Sequence, residues 1–220
     1  MQIDSVQGLI IYTWQSARTL IDLGGTVVAV QLVISVVGLA MVFYKVFQFA
    51  AVRDASFGAL GKAVDAWNAG DGEAAIKMLD RSWLKLAADV KFGLGQLATM
   101  DRELLRDELA RRGMAFLRPY GSLLRSLELV YYLSPVLGLL GTVLGMIDAF
   151  RHLAAVAGTE KGSSALANGI WEALVCTAVG LVIAIIFTAL HAMLQTRLER
   201  VSEETSDVLT RVLTAEAARG

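Results

Sequence analysis

Apolar positions in this chain gather into three long runs rather than alternating with polar ones. Leu23–Tyr44, Leu129–Ile147 and Ala173–Thr196 contain no Asp, Glu, Lys or Arg, and each is close to the roughly 20 residues that carry a helix across a bilayer. Because the runs are continuously apolar, they predict membrane-crossing helices and not the alternating strands of a barrel. The first run is longer than the ~7 to 15 apolar residues of a secretion signal. Its flank, with Asp4, Arg18 and Asp22, is not basic, so it reads as a retained span.

Between the runs the pattern turns amphipathic. Ile3, Val6, Ile10, Trp14, Ala17 and Ile21 recur at helical spacing, as in a helix lying against a membrane interface or an ordinary anchor leading into a span. The middle region has one strong turn signal, Asn68–Gly72, flanked by stretches rich in Ala, Leu, Lys and Glu, which predicts antiparallel helices. Within Arg102–Arg118, Leu104, Leu105, Leu109, Met114 and Leu117 suggest a packing side, with Arg106, Asp107, Glu108, Arg111 and Arg112 on a solvated one. Arg111 and Arg112 also admit a phosphate or headgroup site, although a charge run is more often a solvated face. Leu198, Val201, Thr205, Val208 and Val212 form a stripe with steps of three and four, so the third helix should continue past its span and pack on its own middle region or on neighbouring subunits.

Composition agrees with a membrane protein: 55% of residues are hydrophobic and 19% charged, with mean hydropathy +0.56, against about a quarter charged in soluble domains. The single Cys176 excludes an intrachain disulfide, and 20 basic residues against 21 acidic ones give no case for nucleic-acid binding. Charge position is more informative. Lys and Arg number one before the first run, thirteen between the first and second, two between the second and third, and four after the third. This predicts an outside N-terminus and an inside C-terminus. The expected organisation is an interfacial helix at 1–22, spans at 23–44, 128–150 and 165–196, a cytoplasmic helical region at 45–127, a short external loop at 151–164 and a cytoplasmic tail at 197–220.

Small residues mark two of the spans. In the second, Ser134, Gly138, Gly141 and Gly145 share a side, and Gly141–Gly145 is a GxxxG step that permits close helix approach. Leu137, Leu140 and Leu144 form a bulkier side, and Pro135 should bend the helix or free a carbonyl. The third span repeats the device with Ala173, Thr177, Gly180, Ala184 and Thr188. Both stripes carry a hydroxyl, Thr142 and Thr177. Either they only join helices, or they face a partly hydrated space. Glu172 stands at the rim of the third span if the helix begins there, or about two turns inside if Ser163 or Ser164 caps it. An intramembrane carboxylate normally faces a bundle interior and marks an ion or proton path. His191 lies near the opposite interface, too far along the helix to pair with Glu172, and Cys176 reads as a small packing residue.

The order SPVLGLLGTVLGM from Ser134 followed by GIWEALVCTAVGLVIAI from Gly169 resembles the MotA/TolQ/ExbB proton-channel family, in its three-span ExbB/TolQ branch. The likeness implies an all-α, multi-pass protein of the bacterial inner membrane, assembled as a homopentamer whose second and third spans enclose the transmembrane helices of an ExbD/TolR-like partner. That partner would carry a transmembrane Asp, and a TonB- or TolA-like protein would receive the work. No cofactor is implied beyond the proton itself. Carried onto this chain, Thr142, Thr177 and Glu172 become proton-pathway residues. Ser134, Pro135, Gly138, Gly141, Gly145, Ala173, Gly180 and Ala184 become the packing residues of the pore helices. The chain departs from the pattern at Ser134, Asn168, Cys176 and Ile186, the last standing where many members have a proline that would bend the third helix. Two other functions remain to be weighed. A non-conducting scaffold would use the same stripes only to join helices. An intramembrane hydrolase based on Ser134 or Ser163 with His191 lacks any GxSxG or HExxH motif.

Overall fold

The structure, a computed structural model, describes residues 3–52, 54–155 and 160–215. The described residues form helices only: α1 (Ile3–Ala50), α2 (Asp54–Asn68), α3 (Gly72–Asp80), α4 (Leu86–Gln96), α5 (Arg102–Gly121), α6 (Leu124–Ala155) and α7 (Glu160–Thr214). Three stretches, Gly24–Ala50, Arg102–Ala155 and Leu166–Thr214, contain windows long and apolar enough to cross a membrane. The chain divides into two units. One comprises residues 1–42 and 125–192, and the other residues 43–124 and 193–220.

The first unit holds the apolar parts of α1, α6 and α7. Helices suit these segments because a backbone in hydrocarbon must satisfy its own N–H and C=O groups. The outward side chains are apolar, among them Val36, Leu139, Leu174 and Ile185. The inward positions are small enough for backbones to meet. A Cβ on Gly145 would lie 3.0 Å from the Ala173 Cβ, and one on Gly169 would lie 2.5 Å from that of Ala149. Gly38 accommodates the Phe187 ring. α6 passes through Pro135 without ending, and α7 runs as one helix through Ile186. α1 does break: Gly25 has φ 63° and ψ −158°, a conformation open essentially to glycine alone.

The residues preceding this break form part of the same helix, but the side chains of Ile3, Val6, Ile10, Trp14 and Ala17 fall outside the described residues, as do residues 156–159 of the expected external loop. Ser163 and Ser164 are not at a helix start. α7 begins at Glu160, which places both serines inside its first turns and Glu172 twelve residues along it.

In the second unit the expected turn joins α2 to α3. Gly70 takes φ 89°, and Asp71 caps α3 by accepting from the Ala74 N–H at 3.0 Å. Asp101 caps α5 through the N–H groups of Glu103 and Leu104. The buried side of α5 consists of Leu105, Leu109, Gly113 and Phe116. Leu104 and Met114, expected to pack, are exposed, because packing follows the row from Leu105 in steps of four, four and three and they lie off it. Val201, Thr205, Val208 and Val212 of α7 are buried. They pack on this chain's own helices: a Cβ on Gly93 would lie 2.6 Å from Val212, and one on Gly113 would lie 2.8 Å from Leu209. Arg111 and Arg112 bind Glu108 at 2.7 and 2.8 Å, and Arg112 also binds Asp89. These hydrogen bonds hold the Glu108 carboxyl down at about 2. The two arginines are thereby engaged with carboxylates, which favours the solvated-face reading over an anion site.

Lys45 plays a part its charge alone does not reveal. It is buried, and its Nζ donates to the carbonyls of Pro119 and Tyr120 at 2.9 Å and to Gln48 Oε1 at 2.8 Å, so it caps the C-terminal end of α5, where carbonyls lack helical donors. Lys45→Met keeps most of the stem and removes the ammonium from both carbonyls, leaving Pro119 with Gln48 Nε2 and the Ser122 hydroxyl and Tyr120 without its side-chain donor. It is expected to destabilise the protein by about 1 to 3 kcal/mol, read as a lower thermal midpoint in detergent. An unchanged midpoint would show that the cap contributes nothing.

Candidate functional site

The polar groups of the first unit gather where α1, α6 and α7 approach most closely, and the small residues explain the closeness. A Cβ on Gly138 would lie 3.0 Å from both the Cys176 carbonyl oxygen and the Thr177 Cα, and one on Gly141 would lie 2.6 Å from the Cys176 Cβ. A Cβ on Gly180 would lie 2.5 Å from the Ser134 carbonyl oxygen. The stripes on α6 and α7 therefore face each other inside one protomer, with Ala173 and Ala184 buried along the same line. Thr188, at the end of that stripe, is exposed.

Both threonines donate to the backbone of α6. Thr177 Oγ1 donates to the Gly138 carbonyl at 3.0 Å, and Thr142 Oγ1 donates to the Leu139 carbonyl at 2.6 Å. Their acceptors are consecutive residues, so the hydroxyls sit at one level of the helix. Each hydroxyl has a single proton, and each gives it to the backbone. What remains to offer is oxygen lone pairs, which accept from water or from a protonated carboxyl.

Glu172 is not part of that pair. It precedes Thr177 by five residues, about 140° around the helix, and its exposed side chain lies on the α1 side of α7, where a Cβ on Gly25 would collide with its carboxylate. Cys176 shares this side, one turn on. The non-helical φ and ψ of Gly25 break the regular course of α1 directly after Gly24. The buried Cys176 thiol donates to the Gly24 carbonyl at 3.0 Å, so a residue expected only to fill space also ties α7 to α1 beside the break. Glu172 in turn stands beside the start of the second helical segment of α1, the end at which a dipole favours negative charge. Near the other end of the apolar run in α7, His191 packs its ring on Tyr131 at 5.4 Å between centroids, well away from Glu172.

One participant was invisible to a search for charges. Gln31 lies within the first apolar run and is completely buried, and its Nε2 donates to the Ser134 carbonyl at 3.2 Å. Its signal in the sequence is a single amide in a run otherwise almost wholly apolar. Ser134 turns its own hydroxyl to the Val130 carbonyl at 2.6 Å, leaving the Ser134 carbonyl to Gln31. Among the described residues no group of three or more His, Cys, Asp or Glu could hold a metal ion.

Three helices long and apolar enough to cross a membrane, packed through glycines, define the class of multi-pass membrane proteins. Residues 78–207 match the MotA/TolQ/ExbB proton channel family, and the chain belongs to that family, whose members are channels and not enzymes. It is 47% identical over 66 residues to the biopolymer transport protein exbB1 of Vibrio cholerae, covering 30% of this chain and 28% of that protein. It is 39% identical over 95 residues to an ExbB-like biopolymer transport protein of Synechocystis, covering 43% and 32%. An ExbB homologue of Methanothermobacter thermautotrophicus is 37% identical over 76 residues, covering 34% of this chain and 26% of the homologue. The matched stretches thus span less than a third of each of these relatives.

Proposed function

We propose that the chain is the channel subunit of a proton-driven complex in the bacterial inner membrane, with its N-terminus outside and its C-terminus in the cytoplasm. Five copies would surround the single transmembrane helices of an ExbD/TolR-like partner. Proton flow through the complex would drive mechanical work on a TonB- or TolA-like protein, energising outer-membrane transport or Tol-Pal function. The observation that carries this reading is the pairing of Thr142 and Thr177 on adjacent α6 carbonyls within the segment matched to the family.

The chemistry follows from what those groups can offer. With their protons given to the backbone, the two hydroxyls accept hydrogen bonds from water or from the neutral form of the partner's aspartic acid, and they offer no proton to its ionised form. Protonation would therefore let that helix rest at the threonine level, and proton release would drive it away. Glu172, set apart from this level, acts by charge, raising the proton affinity of acids near it. One proton crossing 100 mV supplies ~2.3 kcal/mol, so a few protons support appreciable work.

The test is proton flux into liposomes holding the chain with its single-span partner. Thr177→Val and Glu172→Gln are each expected to lower flux by about tenfold or more, a modest share of what positioned proton-transfer groups contribute. If both variants conduct as the parent does, the assignment fails. If the parent conducts nothing while the partner still assembles, the protein is a scaffold.

A further inference from the structure

Gln31 is out of place as a packing residue. It is 0% exposed in an apolar helix, one amide hydrogen bond holds it to the Ser134 carbonyl, and its Oε1 has no hydrogen-bond partner. A buried acceptor left unpaired is a cost that a leucine of similar size would avoid. The opposing helices are nonetheless cut to admit the amide. A Cβ on Gly180 would lie 2.7 Å from its Nε2, and one on Gly138 would lie 3.4 Å away.

The bond it makes falls on a particular row of α6. Ser134, Gly138 and Thr142 are four residues apart and so lie above one another on one face. Gln31 binds the carbonyl of the first, and Thr177 binds the carbonyl of the second. The third carries the other hydroxyl of the pair. Building on the channel reading above, we propose that Gln31 is a positioning residue of the proton path: from the first span it holds this row of α6 in register with α7, and so sets where the Thr142 and Thr177 hydroxyls stand.

Two variants of the full chain, reconstituted in liposomes with its partner, test this by two independent readouts. Gln31→Leu is expected to have a thermal midpoint no lower than the parent's. Its solid-state NMR signals from Thr142 and Thr177 should nevertheless move, and its proton flux should fall by about tenfold or more, the scale of loss from a misplaced group. Gln31→Glu should behave differently with pH. Its neutral carboxyl can still donate to the Ser134 carbonyl, whereas its ionised form cannot. Flux should therefore approach the parent's at acidic pH and fall to that of Gln31→Leu as the new group ionises.

Among the described side chains of this unit, the titratable and charged groups on the packed helices are Arg125, Glu128, Tyr131, Tyr132, Asp148, Arg151 and His152 of α6 and Glu172, Cys176 and His191 of α7, with Glu172 and Cys176 on the side toward α1. All are present in the parent, so a pH limb seen only in Gln31→Glu belongs to position 31. Parent-like flux in Gln31→Leu, or identical pH profiles for the two variants, would overturn the proposal. If the parent itself carries no flux, the channel reading falls, and the threonine signals decide alone: unchanged in Gln31→Leu, they overturn the positioning role, and shifted, they support it.

Discussion

Gly180→Ala is expected to destabilise the protein by about 2 to 4 kcal/mol, combining overpacking with the loss of a buried hydrogen bond. The added methyl would lie 2.5 Å from the Ser134 carbonyl oxygen, 2.7 Å from Gln31 Nε2 and 3.3 Å from the Gly138 Cα. Two of those three atoms are backbone, so α6 and α7 must separate before the methyl fits. Separation breaks the Gln31–Ser134 bond and weakens the Thr177–Gly138 bond. In the helix interior, alanine is otherwise preferred over glycine by about 1 kcal/mol, which makes the sign informative. Gly58 in α2 has nothing within 4 Å of its Cβ position, so Gly58→Ala is expected to be neutral or slightly stabilising. Thermal unfolding of both variants in detergent checks the contrast. Equal midpoints would mean that the close approach at Gly180 is absent in the folded protein.

The contrast also shows what the sequence could and could not supply. Spacing in threes and fours picked out Gly138, Gly141, Gly145 and Gly180 because small side chains on one helix face have few uses besides close approach. Spacing says nothing about which neighbour approaches. Within the protomer, that neighbour is the other stripe, together with Gln31 from the first span. The three spans were legible because charge is expensive in hydrocarbon and its absence is easy to see. Gln31 was not, since a neutral amide passes any test based on charge. Lys45 was counted as a marker of orientation, and the structure adds that its ammonium caps α5, a role set by a contact 74 residues away in the chain. The register of Leu104 and Met114 failed for a related reason. An apolar residue on an amphipathic helix marks only an approximate face, and the row beginning at Leu105 was settled by what α4 and α7 brought against it.

Gly25→Ala is the second change with a large expected effect, and two causes must be separated. The first is strain, since φ 63° with ψ −158° costs a residue with a Cβ about 1 to 3 kcal/mol. The second is collision with the Glu172 carboxylate. The carboxylate is the far end of a flexible, exposed side chain and can swing aside at little cost, so strain dominates the loss of stability. A double-mutant cycle tests this ordering. Gly25→Ala should lower the thermal midpoint by nearly the same amount with Glu172 present or replaced by Ala, giving a coupling below about 0.5 kcal/mol, as for independent sites. A larger coupling would show that the carboxylate is held firmly at the break. Proton flux should respond in the opposite sense. Because Gly25→Ala displaces the carboxylate, much of its effect on flux should vanish once Glu172 is already gone. The same methyl group is thus expected to act on stability through the backbone of α1 and on conduction through the side chain of α7.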